Sequence, residues 1–329
     1  MQVLLYRPSF ERVRDALAER GVEAVVLEHD GHLAHADGSP WPEARPTVAW
    51  FSRELMTTPG APTGKFLKAV HGGSVEWVQS AAAGYEHPVF QGLLDAGIRL
   101  SSSDGNSDGI AEYVLAEVLA CFQRIDDRRA AQAAKRWERV AFREVAGSRW
   151  VILGYGSIGR EVARRATAFG AEVVGIRRRP QPDEHALRVV GPDALHDEVA
   201  NADVIVVSAA ANADSEHLID ADVLGRMRAE AVLVNVARGA LVDEAALRAS
   251  LDAGRPGWAL LDVFTTEPLP EDDPLWMHPK VRISAHCSGE GDGANARGAR
   301  VFLEHLDAWL AGNPLRLEVA ADWRDSHPR

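Results

Sequence analysis

Short apolar runs alternate with amphipathic segments along the first hundred residues. The apolar runs, each bounded by turn residues, predict strands at Gln2–Tyr6, Ala24–Leu27, Val48–Phe51, Val75–Gln79 and Ile98–Leu100. Apolar positions at helical spacing predict helices over Phe10–Glu19 and Gly64–Val70. This alternation of strands and helices is typical of a parallel sheet covered by helices.

A long helical pattern separates this series from a second one. It predicts one helix from Gly109 to about Ala134, whose second half becomes rich in arginine, and we place a domain junction near its end. Strands are then predicted at Trp150–Leu153, Ala171–Ile176, Val204–Val207, Ala231–Val236, Ala259–Val263 and Val281–Ser284, with helices over Ile158–Phe169, Glu244–Ala253 and Gly298–Leu310. The sequence therefore predicts an α/β protein with two Rossmann-like, doubly wound parallel-sheet domains.

Composition and charge narrow the class of protein. The 329 residues suggest two domains, and the 46% hydrophobic and 26% charged residues exclude a disordered, collagen-like or coiled-coil chain. The net charge of −12 argues against nucleic-acid partners and against a polybasic membrane contact. Two cysteines are too few for a disulfide framework, and no apolar run approaches the roughly 20 residues of a membrane helix. We therefore expect a cytoplasmic protein with neither nucleic-acid nor membrane partners.

The sharpest local signal is Gly-Tyr-Gly-Ser-Ile-Gly, which starts at Gly154. It follows a predicted strand and opens a predicted helix, the context in which this spacing indicates a dinucleotide site. Gly154 permits the tight turn, Gly156 lets the backbone approach a pyrophosphate, and Gly159 allows close helix–strand packing. The N–H groups at the helix N-terminus favour phosphates. The cofactor-binding residues predicted here are Gly154, Tyr155, Gly156, Ser157, Ile158 and Gly159.

The residues after the next strand bear on the choice of cofactor. An NAD site usually has Asp or Glu there to bind the ribose hydroxyls, whereas this chain has Arg177, Arg178 and Arg179. Guanidinium groups bind a 2′-phosphate through charge-assisted hydrogen bonds, whereas a carboxylate repels it. We therefore predict Arg177 and Arg178 as cofactor-binding residues and NADP as the cofactor. NAD is the alternative if these arginines are solvated loop residues.

Three further stretches end predicted strands with chemically active side chains. Arg238 follows one strand, and His286 closes the last one. The predicted strand Ala259–Val263 has Asp262 near its carboxyl end, and Glu267 lies just beyond it. Ligands of open α/β sheets bind at the carboxyl ends of the strands, so these residues are candidates for a single site. Taken singly, each also fits an ordinary structural ion pair or a solvated loop position.

In this order and spacing, the stretches resemble the D-isomer-specific 2-hydroxyacid dehydrogenases, the family of glyoxylate/hydroxypyruvate reductases and phosphoglycerate dehydrogenase. The resemblance covers nearly the whole chain. It extends upstream to Trp77–His87, which is similar to the family's substrate-carboxylate loop, and to Asn106 and Ala111–Leu115, which are similar to the start of its interdomain helix. Two prolines that are common in the family are replaced here by Ala210 and Ala285.

The resemblance implies a catalytic role for three residues. Arg238 would hold the carboxylate and the ketone oxygen of a 2-oxoacid, because its planar fork suits bidentate binding of oxygen atoms. His286 would exchange a proton with the carbonyl oxygen as hydride is transferred. Glu267 would pair with His286, favouring its protonated form and fixing its orientation.

The family resemblance also implies binding roles for residues other than Arg238, Glu267 and His286. The backbone N–H groups of Ala83 and Gly84 would bind the substrate carboxylate, and Asp262 would lie near the nicotinamide carboxamide. No metal is predicted: the His29, His32 and His35 group lies in a Pro/Gly-rich loop without a further clear ligand. Cys287 beside His286 has no evident activating partner and is interpreted as a bystander thiol.

For the whole protein, the resemblance implies an organisation and an activity. Residues 1–123 with 298–329 would form a discontinuous substrate-binding domain and residues 124–297 the dinucleotide-binding domain, with the active site in the interdomain cleft. The expected reaction is hydride transfer between NADP(H) and a small 2-oxoacid or D-2-hydroxyacid, as in the glyoxylate/hydroxypyruvate reductases, in a homodimer. The alternative is a non-catalytic, dinucleotide-sensing interaction protein of the corepressor kind on the same fold.

Overall fold

The computed structural model describes residues 1–85 and 87–319, which form two compact units. Unit 1 comprises Met1–Asn106 together with residues 292–319, and unit 2 comprises Ser107–Gly291. Each unit is built around its own sheet, of six strands in unit 1 and seven in unit 2. The predicted fold class, α/β with two Rossmann-like parallel sheets, is confirmed.

Strands and helices alternate along most of the chain. The first half contains β1 (Gln2–Tyr6), α1 (Arg7–Glu19), β2 (Glu23–Leu27), β3 (Leu33–Ala34), β4 (Val48–Phe51), α2 (Arg53–Thr57), α3 (Thr63–Val70), β5 (Trp77–Ser80), α4 (Pro88–Asp95), β6 (Arg99–Ser101), α5 (Ser107–Phe122) and α6 (Ile125–Ala133). The second half contains β7 (Arg149–Leu153), α7 (Ser157–Ala168), β8 (Glu172–Ile176), β9 (Arg188–Val190), α8 (Leu195–Val199), β10 (Val204–Val207), α9 (Ala221–Arg226), β11 (Val232–Asn235), α10 (Glu244–Asp252), β12 (Trp258–Leu261), β13 (Val281–Ile283) and α11 (Ala294–Leu310).

The sheet of unit 1 has the strand order β3-β2-β1-β4-β5-β6. Its pairings are parallel except that of β2 with the short edge strand β3. Successive side chains face opposite sides of the sheet, so Leu4 enters a core with α3 and α4, whereas Val3 enters one with α1 and α11. The terminal helix α11 contributes Phe302 to this second core, where its ring stacks on Trp50 with the centroids 4.6 Å apart.

The sheet of unit 2 has the strand order β13-β12-β11-β10-β7-β8-β9, and its pairings are parallel. Both faces are covered, which explains why its strands are continuous apolar runs. Ile152 and Val206 face a core shared with α5 and α7, and Val151 and Ile205 face one shared with α9 and α10. The strand order reverses between β7 and β10, the switch point at which open α/β sheets bind ligands.

The predicted strands agree with the observed ones to within two residues at each end, but one predicted helix is wrong. The helix expected from Gly109 to Ala134 is two helices, because α5 ends at Phe122 and α6 begins at Ile125. Arg124 between them has a left-handed backbone with φ of 48°, which no α-helix can contain.

The boundaries of the two units also differ from the predicted domains. The chain enters unit 2 at Ser107 and not at residue 124, because α5 packs in the core of unit 2. Ile110 and Val114 of α5 share a hydrophobic cluster with Val162 of α7. The return to unit 1 comes at Asp292, ahead of α11, and not at residue 298. Unit 1 is therefore discontinuous in the chain and unit 2 is continuous.

Candidate functional site

The candidate residues of unit 2 follow the carboxyl ends of neighbouring parallel strands. Gly154 comes directly after β7 and Asp262 directly after β12, and Arg238 lies three residues beyond β11. His286 lies three residues beyond β13. Because these strands are parallel in one sheet, their carboxyl ends meet at the same edge. The fold therefore gathers side chains that are far apart in the sequence.

Two glycines of the motif are required by close backbone approaches. Gly154 has a positive φ of 90°, and a Cβ atom there would lie 2.3 Å from the backbone of Ala209. A Cβ atom on Gly159 would lie 2.7 Å from the carbonyl oxygen of Gly154. Both distances are too short for any other residue, so the turn between β7 and α7 depends on glycine at these positions.

The third glycine borders open space at the start of α7. A Cβ atom on Gly156 would meet nothing within 4 Å, and Gly156 caps the helix without a side-chain hydrogen bond. Within the described part of the chain, the backbone N–H groups of Ser157, Ile158 and Gly159 have no protein acceptor. Unpaired N–H groups at a helix N-terminus are ready-made donors for phosphate oxygens. These residues therefore fit the pyrophosphate of a dinucleotide.

Tyr155 differs from its predicted role, because its side chain points into the protein. It is only 1% exposed, and its hydroxyl donates to Asp183 Oδ1 at 3.0 Å. Its ring lies over Gly175 of β8, where an added Cβ atom would come within 2.4 Å of the ring. Its backbone N–H donates to the carbonyl oxygen of Ile176 at 3.1 Å. The residue fills the core beneath the glycine turn and offers no free donor to a cofactor.

The arginines that follow β8 lie next to this turn. Gly154 N–H donates to the carbonyl oxygen of Ile176, the residue directly before Arg177. Arg177 is partly buried, and Arg178 and Arg179 are exposed. None of these three arginines forms an ion pair with a carboxylate in the described residues. The structure thus places three cations without carboxylate partners beside the glycine motif.

The side chains of His286 and Glu267 lie within hydrogen-bond distance of each other. His286 Nδ1 lies 2.8 Å from Glu267 Oε2, and the two side chains are 52% and 36% exposed. The second oxygen of Glu267 accepts the backbone N–H of Phe264 at 2.9 Å, which fixes the carboxylate. With Nδ1 directed to Glu267, the other ring nitrogen, Nε2, is the one that can serve a substrate.

Asp262 has partners other than the nicotinamide carboxamide expected from the sequence. Its side chain is fully buried and accepts hydrogen bonds from the backbone N–H groups of Cys287 and Ser288 and from the hydroxyl of Ser284. The N–H of His286 donates to the backbone carbonyl of Asp262 at 2.8 Å. His286 itself has a left-handed backbone with φ of 51°, which costs free energy in a residue other than glycine. Asp262 therefore stabilises the strained loop that presents the imidazole.

Three residues that support this loop, Ser284, Ser288 and Tyr113, were not predicted for that role. Ser284 Oγ lies 2.7 Å from the hydroxyl of Tyr113 on α5, and 2.5 Å from Asp262 Oδ1. Burial raises the pKa of Tyr113 above its ordinary value, so the phenol stays protonated as a hydrogen-bonding group. Single Ser and Tyr residues form no sequence motif, so only their place in the folded structure, next to the loop of His286, identifies them.

Arg238 lies in a turn held against the loop that carries Glu267. The side chain of Asn235 braces this turn, accepting from Ala237 N–H and donating to the carbonyl oxygen of Arg238 at 2.9 Å. A Cβ atom on Gly239 would lie 1.9 Å from the carbonyl carbon of Phe264, so only glycine permits this contact. The guanidinium donates to the carbonyl oxygen of Ala237 at 2.7 Å and is partly exposed.

The remaining predicted residues, Ala83 and Gly84, belong to unit 1. They follow β5 by three and four residues, in a stretch without regular secondary structure. Among the described residues, their backbone N–H groups have no protein acceptor. Both are thus suited to donate to a ligand.

Neither a metal centre nor a membrane span is found in the described residues. In residues 1–85 and 87–319, no group of three or more His, Cys, Asp or Glu side chains is placed to hold a metal ion. Of the histidines in the loop after β2, His29 bonds to the hydroxyl of Tyr6 and His35 stacks on Trp41. The helices in the described part of the chain are all too short or too polar to cross a bilayer.

More than half of the chain matches the model of a known family. A family model described as "D-isomer specific 2-hydroxyacid dehydrogenase, NAD binding domain" matches residues 115–288, more than half of the chain. The chain belongs to this family. As a member, it is an NAD(P)-dependent oxidoreductase of 2-hydroxyacids, and the non-catalytic alternative is not favoured. The matched segment contains the glycine motif, Arg238, Glu267 and His286.

Relatives in the family differ in how much of the chain they share. Glyoxylate/hydroxypyruvate reductase A of Salmonella paratyphi B is 29% identical over 292 residues, which cover 88% of this chain and 89% of that enzyme. D-3-phosphoglycerate dehydrogenase of Mycobacterium tuberculosis is 34% identical over 215 residues, which cover 65% of this chain and 40% of that enzyme. The likeness to the reductase therefore extends over both units, and the likeness to the phosphoglycerate enzyme over less of the chain.

Solved structures from the family share the fold along nearly the whole chain. A D-isomer specific 2-hydroxyacid dehydrogenase family protein from Aeromonas salmonicida is 26% identical, with a TM-score of 0.77 and coverage of 98% of this chain and 99% of that one. A D-isomer specific 2-hydroxyacid dehydrogenase from Xanthobacter autotrophicus, crystallised with NADPH and MES, is 25% identical, with a TM-score of 0.76 and coverage of 97% and 98%.

Proposed function

We propose that the protein reduces a small 2-oxoacid to a D-2-hydroxyacid with NADPH, and that glyoxylate and hydroxypyruvate are its first candidate substrates. The hydrogen bond between His286 and Glu267, at the sheet edge that also carries Arg238, is the observation that carries this proposal. The name of the Salmonella relative supports the choice of substrates. NADPH in the Xanthobacter structure supports the choice of cofactor.

A dinucleotide held at the glycine motif would supply the hydride for the carbonyl carbon, and the side chains of the protein would bind the substrate, stabilise charge and transfer the proton. The guanidinium of Arg238 binds the carboxylate and the ketone oxygen of the substrate, which orients the carbonyl group and stabilises the charge that develops on its oxygen. His286 donates the proton on Nε2 to that oxygen. Glu267 stabilises the positive imidazole ring before the transfer and holds its plane. The backbone N–H groups of Ala83 and Gly84 are proposed as further donors to the substrate carboxylate.

The proposal is tested by an assay of purified full-length protein against a panel of 2-oxoacids with NADPH and with NADH. Oxidation of NADPH is followed by the loss of nicotinamide absorbance, and the configuration of the product is determined by chiral chromatography. We expect turnover with glyoxylate or hydroxypyruvate and a D product wherever the product is chiral. Tight NADPH binding without turnover of any 2-oxoacid would instead support the dinucleotide-sensing alternative.

The preference for NADP is tested by replacing Arg177 with aspartate. Aspartate repels the 2′-phosphate of NADP and accepts hydrogen bonds from the ribose hydroxyls of NAD, so the ratio of kcat/KM for NADPH to that for NADH should fall by about 10- to 100-fold. Steady-state kinetics with both cofactors measure this ratio. Arg300→Asp, the same charge change on an exposed helix position of unit 1, serves as the control. An unchanged ratio in Arg177→Asp would show that the arginines do not select the cofactor.

A homodimer is the proposed assembly, and the segment that follows α6 supports it. Residues 134–146 run without a helix or strand. Trp137 in this segment is completely exposed and Phe142 is 52% exposed. Large aromatic side chains that lie open on a surface are typical of a protein–protein contact. A second copy of the chain is the partner we propose for this segment.

Replacing Trp137 with serine should weaken the dimer. The loss of one buried aromatic anchor costs about 2 kcal/mol or more, roughly a 30-fold rise in the dimer dissociation constant. Size-exclusion chromatography with light scattering, at a series of protein concentrations, measures this constant. Trp276→Ser is the matched control, because Trp276 is 47% exposed but lies outside the segment. A wild-type protein that is monomeric, or a Trp137 variant as dimeric as the control, would contradict the assignment.

Localisation in the cytoplasm is part of the same proposal. Both cysteines, Cys121 and Cys287, are free thiols, the first buried and the second exposed. An exposed free thiol is typical of a protein kept in a reducing compartment.

A further inference from the structure

The loop between β8 and β9 is tied to the glycine motif by one carboxylate. Asp183 in this loop accepts a hydrogen bond from the hydroxyl of Tyr155 at Oδ1. Its Oδ2 lies 2.7 Å from the guanidinium of Arg160, in the first turn of α7. Its Oδ1 also accepts the backbone N–H of His185 at 3.0 Å. The carboxylate thus joins the loop to both sides of the turn that the glycines form.

These contacts keep Asp183 from acting as the ribose-binding carboxylate of an NAD site. Its side chain is only 10% exposed, and both oxygens have protein donors. Burial acts to raise the pKa of Asp183, but the N–H of His185, the hydroxyl of Tyr155 and the charge of Arg160 outweigh it and hold the pKa below its ordinary value. The group is therefore a fixed anion whose two oxygens are already occupied by protein donors.

The same contacts leave the loop with an uneven distribution of charge. Arg160 is paired with Asp183, whereas Arg177, Arg178 and Arg179 at the start of the loop have no carboxylate partner in the described part of the chain. Glu184, next to Asp183, is 81% exposed, and among the described residues its carboxylate lies near only one cationic partner, its neighbour His185, at 3.8 Å. Within this loop, Asp183 is thus the carboxylate that is built into the turn.

We propose that Asp183 is a positioning residue for cofactor selection, which anchors the loop so that Arg177 and Arg178 face the 2′-phosphate of NADP. This inference rests on the proposed use of NADP. Tyr155 is the second part of the anchor: its buried ring fixes the direction of its hydroxyl, and the absence of a side chain on Gly175 makes room for that ring. In this proposal, Tyr155 acts on cofactor binding through Asp183.

The test measures dissociation constants of NADPH and NADH for full-length variants by fluorescence titration. Asp183→Asn keeps the shape of the side chain but loses its charge, so the loop is held less firmly. We expect the dissociation constant of NADPH to rise about tenfold, the effect of losing one charge-assisted hydrogen bond, and that of NADH to change less than about twofold. Glu184→Gln removes the same charge from the same loop without touching the anchor, and both of its constants should equal those of the wild type.

Tyr155→Phe provides a second and milder variant, which tests the idea even if Asp183→Asn does not fold. It removes only the hydroxyl, and we expect NADPH binding to weaken about threefold with NADH binding unchanged. Equal weakening of both cofactors in these variants would show a merely structural role and overturn the inference, as would constants equal to those of Glu184→Gln.

The Arg177→Asp variant separates this inference from the proposal on which it rests. If Arg177→Asp leaves the ratio of NADPH to NADH affinity unchanged, the preference for NADP itself is wrong, and the positioning role falls with it. If Arg177→Asp lowers the ratio but Asp183→Asn and Tyr155→Phe do not, only the positioning role is wrong. A lowered ratio in all three variants supports both.

Discussion

Replacing His286 with asparagine is expected to lower kcat for 2-oxoacid reduction by about 10²- to 10⁴-fold, the contribution of a positioned acid–base group. Asparagine has a polar side chain of similar reach, but it cannot release a proton at neutral pH. His286 is no part of the glycine motif, so the affinity for NADPH should remain. The turnover number at saturating substrate and the dissociation constant of NADPH measure the two effects separately.

His196 on α8 offers a closely matched control for this variant. Its side chain is 50% exposed, against 52% for His286, and its Nε2 lies 3.4 Å from the carboxylate of Asp222. His196→Asn therefore removes an imidazole of equal exposure beside a carboxylate, and it should leave kcat unchanged. If His286→Asn retains a rate near that of this control, His286 is not the acid.

Replacing Arg238 with lysine should lower kcat/KM for the 2-oxoacid by about 100-fold, close to 3 kcal/mol of lost transition-state stabilisation. Lysine keeps the positive charge but presents a single ammonium point in place of a planar fork, so it cannot bind a carboxylate and a ketone oxygen together. Steady-state kinetics with varied 2-oxoacid at saturating NADPH measure the loss. Binding of NADPH, measured by titration, should be unaffected.

Arg226→Lys is the control, because Arg226 is a surface residue of α9 that pairs with Asp222 one helical turn away. Its kinetics should match those of the wild type. A value of kcat/KM within about threefold of the wild type in Arg238→Lys would mean that charge alone suffices, and it would refute the bidentate role.

Much of the fold could be predicted because its signals are local. Strands such as Val48–Phe51 and Val204–Val207 are apolar runs of the right length between turn residues, and they agree with the observed β4 and β10 at both ends. The turn at Gly154 was predictable for the same reason, since its positive φ favours glycine and the glycine spacing is visible in the sequence.

The parts that were missed depend on contacts between distant residues. Nothing in the periodicity from Gly109 to Ala134 shows that Arg124 adopts a left-handed backbone, and the apolar face of α5 does not reveal which unit it will cover. Tyr155 was expected beside the cofactor because of its place in the motif. Its actual direction follows from the space over Gly175, which only the folded sheet provides.

The candidate site likewise has residues that could be predicted from the sequence and residues that could not. The pairing of His286 with Glu267 was expected from the order of residues that resembles a known family, and the two atoms lie 2.8 Å apart in the structure. Ser284 and Tyr113, which support the loop of His286 through Asp262, carry no sequence signal. They act through hydrogen bonds of partly buried side chains, and the partners of those hydrogen bonds are determined by packing.

The discontinuity of unit 1 determines the order in which the protein is completed during its synthesis. Trp50 and Trp77 leave the ribosome with the first strands, but the aromatic partners that cover them, Phe302 and Trp309, come from α11 near the end of the chain. Unit 2 is continuous, so its core is complete before α11 is translated. The nascent chain therefore has only α1 on this face of the sheet while unit 2 folds, and a premature stop before Ala294 removes the part of the cover that α11 supplies.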